Sequence, residues 1–244
     1  PNGTFYSAQR ADLNENPMGY RYGIYLDDTD HRRDPRIGYR FQWDRWDMPA
    51  SRGENSSFYQ DDFNLTGYIP LLENNQGVLV LNQFVGTSHV RKAGTVNRDN
   101  YICNESLSPG CQSILDVLYK RQVAEAERGR ATTLGGTQRL RGYRTNRFYD
   151  SYTHFRGIEY RWYLIETQDA FNYFIERGTF AGFQAAVFYE EGTVSPDMGS
   201  SFWKNFRNSY GLGGRFLFNN VIFRIDHGFS QEDSETTVYI GYGF

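Results

Sequence analysis

Thr236-Thr237-Val238-Tyr239-Ile240-Gly241-Tyr242-Gly243-Phe244 is the stretch that decides the fold. Val238, Ile240, Tyr242 and Phe244 recur at every second position, and Thr237, Tyr239, Gly241 and Gly243 fill the places between. A period of two marks a strand with one apolar face. The pattern repeats going back along the chain. In Val221–Phe229, Val221, Phe223, Ile225 and Phe229 share a face opposed by Arg224, Asp226 and Gly228, with His227 breaking the apolar row. In Ser209–Phe218, Tyr210, Leu212, Phe216 and Phe218 oppose Gly211, Gly213 and Arg215. In Phe155–Glu166, Tyr160, Trp162 and Leu164 oppose Glu159 and Arg161.

A soluble sandwich alternates in the same way. The difference lies in what each face carries. Lipid accepts large aromatic side chains, and a water-filled lumen accepts charge and glycine. The chain of 244 residues holds 19 Tyr, 19 Phe, 4 Trp and 25 Gly against 7 Pro. Its mean hydropathy is −0.67, a polar average that a transmembrane barrel shares because only one face of each strand is apolar. No apolar run approaches the ~20 residues of a membrane helix. The net charge of −3 gives no support for nucleic-acid binding. Pro1 is not an initiating residue, which points to processing or truncation.

About ten segments have the length of a tilted membrane strand. They are Thr4–Leu13, Gly19–Asp28, Arg36–Trp46, Ser57–Pro70, Gly77–His89, Phe155–Glu166, Tyr173–Glu191, Ser209–Phe218, Val221–Phe229 and Thr236–Phe244. Tight turns at Glu73–Gln76 and Asn219-Asn220 alternate with longer polar loops at Asp47–Ser56, His89–Asn146 and Gly192–Asn208. Short turns on one rim and long loops on the other are the habit of outer-membrane barrels. The fold class read from this is all-β, a transmembrane antiparallel β-barrel forming one domain over residues 1–244.

The longest loop, 89–146, carries a helix-like insert. Ser113–Arg128 places Ile114, Leu115, Leu118 and Val123 on one side, with Ser113 as N-cap and Asp116 at the capping-box position. Just before it, Cys103 and Cys111 flank Pro109-Gly110, a turn that can bring them together. A local disulfide implies an oxidising compartment; two free thiols are the alternative. No histidine lies near enough to make the pair a metal site.

Beyond the helix comes Leu134-Gly135-Gly136-Thr137-Gln138-Arg139-Leu140-Arg141-Gly142-Tyr143. Adjacent glycines permit a sharp fold-back. Arg141, between Leu140 and Gly142-Tyr143, is then a charge aimed into the barrel.

This loop resembles the arginine-glycine-aromatic motif of the BamA/TamA type of outer-membrane assembly barrel, also called the bacterial surface-antigen family. Phe188-Tyr189-Glu190-Glu191-Gly192 resembles the family's Phe-x-Asp-x-Gly, with Glu190 in place of Asp. Gly157-Ile158-Glu159-Tyr160-Arg161 resembles the lumen-facing strand between them. Asp28-Thr29-Asp30 before Pro35-Arg36-Ile37-Gly38 resembles an Asp-Thr-Arg turn, with the arginine missing at 30 and Arg32 and Arg33 close by. Phe244 ends an aromatic strand whose Val238, Ile240, Tyr242 and Phe244 are similar to the barrel-insertion signal.

The resemblance implies sixteen strands, so the first are missing from this chain or supplied by a partner. The family's POTRA domains are not in this sequence. The expected site is the lumen loop Gly135, Gly136, Leu140, Arg141, Gly142 and Tyr143, with Arg141 paired to Glu190 first and Glu159 second. A swap of Arg141→Glu with Glu190→Arg should then partly restore a broken pair.

The implied role is non-enzymatic insertion, assembly or translocation of outer-membrane proteins through a weak seam at the last strand. A seam of that kind would show as inward kinking at Gly241 or Gly243. The implied partners are outer-membrane lipid, lipopolysaccharide, client barrels, and other barrel or periplasmic subunits, with no cofactor. An anchoring barrel that tethers a soluble domain or partner complex is the alternative. His31, His89, His154 and His227 are scattered without catalytic or metal spacing. A passive porin is disfavoured by a loop that fills the lumen.

Overall fold

The computed structural model describes residues 19–49, 56–72, 76–103, 110–173, 176–218 and 221–242. Nine strands follow one another in chain order: β1 Tyr20–Thr29, β2 Gly38–Met48, β3 Ser57–Pro70, β4 Gly77–Lys92, β5 Tyr152–Tyr173, β6 Glu176–Ser195, β7 Arg207–Phe218, β8 Val221–Ser230 and β9 Ser234–Ile240. Each pairs antiparallel with the next, giving a single sheet in the order β1 to β9. The expected strand at Thr4–Leu13 lies outside the described residues. The expected Tyr173–Glu191 is displaced, because β5 runs on to Tyr173 and β6 starts at Glu176.

The sheet is rolled. Tyr68 on β3, Val78 and Val80 on β4, Tyr163 on β5, Leu217 on β7 and Ile222 on β8 share one buried cluster. β3 and β8 stand five strands apart, roughly 24 Å across a flat sheet at ~4.8 Å per strand. Only strong curvature brings their inner faces together. The inner face also holds the buried charges, while Phe63, Leu65, Trp162, Val187, Leu212, Phe223, Ile225, Val238 and Ile240 stand exposed on the outer face. This is inverted relative to a water-soluble β-protein and matches a wall that meets lipid. Among the described residues no helix is long and apolar enough to cross a membrane.

The loop between β4 and β5 contains a short 3-10 turn, Arg98–Tyr101, and one helix, α1, Cys111–Arg128. The helix starts two residues earlier than the expected Ser113. Gly110, in the left-handed region at φ 96°, is the cap and makes no side-chain cap bond. The Ser113 hydroxyl donates to the Gly110 carbonyl at 2.7 Å instead. Asp116 is no capping-box residue; it accepts from Gln112 at 2.8 Å and from Arg98. Cys103 and Cys111 form a disulfide, with Cα atoms 6.0 Å apart. Gln112 braces it by accepting the Cys103 backbone N–H at 2.8 Å.

The turn between β1 and β2 departs from the expected Asp-Thr-Arg arrangement. Asp30 accepts the backbone N–H groups of Arg36 and Ile37 at 2.9 and 3.0 Å, closing the turn on itself. Burial works against its charge, and these backbone donors outweigh it, holding the carboxyl below the usual range. Arg40 on β2 pairs with Asp27 at 3.2 Å and donates to the Arg32 carbonyl.

Candidate functional site

After α1 the chain dives into the rolled sheet. A short bridge pairs Leu134 with Phe148, with hydrogen bonds of 2.9 and 3.0 Å. Between them Gly135 and Gly136 take φ of 103° and 110°, the left-handed region that favours glycine. A Cβ at Gly135 would stand 2.2 Å from the Arg144 carbonyl oxygen. Leu134, Leu140, Tyr143 and Phe148 bury against Phe84 on β4 and Phe155 on β5. Their burial holds the loop tip in the lumen.

At that tip Arg141 is fully buried. Its Nε donates to Glu190 Oε1 at 2.7 Å and its backbone N–H to Glu190 Oε2 at 2.7 Å. Its Nη1 donates to Glu159 Oε2 at 2.8 Å and to Asp226 Oδ2 at 2.7 Å. Phe188 lies under the guanidinium, 3.6 Å from its carbon to the ring centroid. Ser209 adds a hydroxyl to Glu190 at 2.9 Å. Strand parity supplies these partners: Glu159, Glu190 and Asp226 occupy inward positions on β5, β6 and β8.

Three more arginines complete the cluster. Arg215 bridges Asp226 at 2.8 Å and Glu159 at 3.0 Å. Arg161 pairs with Glu159 at 2.7 Å, and Arg224 with Asp226 at 3.2 Å. Arg224 also donates to the Thr137 carbonyl of the loop. Four guanidiniums thus face three carboxylates, all at most 1% exposed. An isolated buried charge would be costly; interlocking them gives each at least one partner of opposite charge. Sequence parity had turned Arg161, Arg215, Arg224 and Asp226 inward without revealing that they meet at Arg141. The register across four strands decides that.

This geometry changes the outlook for the charge swap. Glutamate at 141 would meet Glu159 and Asp226 as well as the new arginine, so Arg141→Glu with Glu190→Arg is expected not to restore the site.

Glycine makes the close approach possible. Gly142 rests against β8, where a Cβ would come within 2.5 Å of the Phe229 carbonyl oxygen. Opposite it, a Cβ on Gly228 would come within 2.7 Å of the Arg141 and Gly142 backbone. Gly211, the β7 partner of Gly228, lies beside Phe188 in the same way.

The end of the chain bends into the same lumen. β9 pairs with β8 from Ser234 to Ile240, and the Gly241 N–H still reaches the Ile222 carbonyl at 2.8 Å. Gly241 then takes φ 106° and the strand stops. Tyr242 therefore does not share the outer face with Val238 and Ile240, contrary to the alternation read from the sequence. It turns inward, under the Arg161 guanidinium at 3.7 Å. Its hydroxyl donates to Asp34, which also accepts from Tyr163 at 2.6 Å and Gln184 at 3.1 Å. Phe244 lies outside the described residues. Replacing Tyr242 by Phe removes one donor from this carboxylate and is expected to cost about 1.5–3 kcal/mol. Thermal unfolding of the purified protein checks this; an unchanged midpoint would mean that Asp34 does not hold the tail.

No family model and no curated protein matches the chain. Among solved structures it is similar to BamA from Haemophilus ducreyi lacking POTRA domains 1–3, with a TM-score of 0.57 and 13% identity. The likeness covers 91% of this chain and 42% of that one. The chain therefore has the fold of part of a BamA-type barrel, and it spans less than half the length of the protein it matches.

Proposed function

We propose that the protein works in the outer membrane, inserting or translocating other barrel proteins through a seam bounded by β9. One observation carries this reading. The last strand is short, pairs with β8 alone among the described residues, and is cut off where Gly241 turns Tyr242 into the lumen. An unpaired strand edge is a template for another strand. β9 keeps its outward Val238 and Ile240 exposed, so an added strand continues an apolar wall. The loop held by Arg141 occupies the lumen beside β5 to β8 and ties those strands together beneath that edge. A loop placed in the lumen also speaks against a passive pore.

The test is insertion of a urea-unfolded outer-membrane barrel into lipid vesicles that already contain the full chain. The expected result is faster acquisition of the heat-modifiable, folded client than in empty vesicles. Equal rates with and without the protein would overturn the insertion reading.

A further inference from the structure

The lumen loop leaves room on one side. Arg141 draws it against β5, β6 and β8. On the side facing β1, β2 and β3, a cavity of about 650 Å³ lies between the loop and the inner wall. The strand residues that line it hold inward positions, as the register fixes. One row of them crosses four strands. Phe84 on β4 opposes Asn64 on β3, Asn64 opposes Gln42 on β2, and Gln42 opposes Tyr25 on β1. At ~4.8 Å per strand this row is roughly 14 Å long.

The charges around the cavity are paired, with one exception. Arg21 donates to Asp44 at 3.2 Å, and Arg40 pairs with Asp27 at 3.2 Å. Asp62 accepts from Gln60 with both oxygens at 3.1 Å and from the Thr132 hydroxyl at 2.6 Å. Arg139, on the loop, lies over Phe84 with its guanidinium carbon 3.7 Å from the ring centre. Among the described residues it has no ion pair and no side-chain hydrogen bond, and its Nε is buried without a partner. Asp62 and Glu190 are the carboxylates whose field reaches it, and other donors already hold both. A cation withdrawn from water without a counter-charge is costly. Stacking on Phe84 fixes the plane of the guanidinium and leaves its donor edge free.

The wall beside Arg139 carries uncommitted polar atoms. Gln42 gives its amide nitrogen to Asp44, and Gln60 gives its own to Asp62 and Thr132. Their carbonyl oxygens have no partner among the described residues. Asn64 accepts from Asn82 at 2.9 Å, and its amide nitrogen has no partner among the described residues. One unpaired cation thus stands at the end of a row that offers both a donor and an acceptor.

We infer that this cavity binds a small hydroxylated carboxylate of the sugar-acid kind. The carboxylate meets Arg139 above Phe84, where a planar fork suits it. The hydroxyl groups lie along the row, accepting from Asn64 and donating to Gln42. One uncompensated positive charge calls for one negative charge, which a carboxylate carries and a phosphate monoester exceeds at neutral pH. The site lies on the inner wall of β1 to β4 and does not depend on what happens at the edge of β9.

The full chain, folded in detergent and heat-modifiable, is titrated with glucuronate, glucose and acetate at constant ionic strength, and binding is read by saturation transfer from protein to ligand protons in NMR. Glucuronate is expected to bind. Glucose lacks the carboxylate and acetate lacks the hydroxyls, and each is expected to bind at least about tenfold more weakly, the loss when a charge-assisted hydrogen bond or several neutral ones are missing. Arg139→Gln is expected to bring glucuronate down to the level of glucose. Gln42→Leu changes the wall and not the loop, and serves also if the Arg139 variant fails to fold. It is expected to weaken glucuronate a few-fold and leave acetate unchanged. A folded wild type that binds no glucuronate, or binds glucose as well, overturns the site. So does a folded Arg139→Gln that binds glucuronate like the wild type. Equal glucuronate binding in Gln42→Leu overturns the placing of the hydroxyls, and tighter binding of glucose 1-phosphate than of glucuronate overturns the carboxylate in favour of a phosphate.

Discussion

Arg141→Ala is expected to destabilise the folded chain by about 3–5 kcal/mol, the cost of leaving buried charges uncompensated. The reason lies in how much rests on one side chain. Arg141 alone touches all three carboxylates of the cluster. Glu159 and Asp226 keep Arg215 when it is gone. Among the described residues, Glu190 keeps only the Ser209 hydroxyl and the backbone N–H at 141 as hydrogen-bond donors. The loss therefore falls on β6, and the loop tip is released with it. Thermal unfolding followed by heat-modifiability on gels measures the shift. Arg141→Lys is expected to recover little, because a single ammonium cannot match the fork that serves Glu190 and the other two acids at once. A wild-type midpoint in Arg141→Ala would show that the cluster tolerates its loss and that the loop is held by its apolar residues alone. Adding Glu190→Gln to Arg141→Ala is expected to return part of the loss, since the orphaned charge goes with it.

Gly228→Val is expected to act nearly as strongly without touching any charge. Its Cβ would stand 2.7 Å from backbone atoms of Arg141 and Gly142, closer than any real contact, and backbone cannot rotate away as a side chain can. Either β8 moves outward or the loop tip rises, and in both cases Arg141 leaves Glu190. Overpacking of this kind typically costs 1–3 kcal/mol, and the broken ion cluster adds to it. Gly142→Val should give the same phenotype from the other side of the contact. The two substitutions report one contact, so their combination is expected to cost much less than the sum. Protease access to the Gln138–Tyr143 loop in the folded protein provides the direct measurement. A Gly228→Val protein whose loop stays protected would show that the tip does not depend on this approach.

Strand periodicity carried most of the architecture. The described strands fall close to the alternating segments, except β5, which runs on past the expected Glu166 to Tyr173, because a wall with an apolar face on one side and charge on the other writes its parity plainly. The same parity turned Glu159 and Glu190 inward beneath Arg141. It could not show that Asp226 and Arg215 join them, since residues 85 and 11 positions apart meet only through the register of neighbouring strands. Glycine was legible as the polar-face filler and not as clearance. That Gly142 and Gly228 make room for each other depends on backbone distances. Tyr242 was assigned to the wrong face for a similar reason. Alternation assumes extended backbone, and a single left-handed glycine at 241 breaks it. The helix start moved because Gly110, fixed beside a disulfide-bonded Cys111, ends the loop before Ser113 can cap.

The Asp34 contacts have a consequence for the order of folding. Asp34 and Tyr242 are 208 residues apart, one before β2 and the other after β9. Contacts of such separation are slow to form, and the loop-closure cost they carry is nearly indifferent to a few more residues in between. No pairing of two neighbouring strands brings these residues together; they meet only when the sheet between them has curved. The hydroxyl of Tyr242 on Asp34 therefore reports the curvature of the whole sheet, where each ladder bond reports one strand pair.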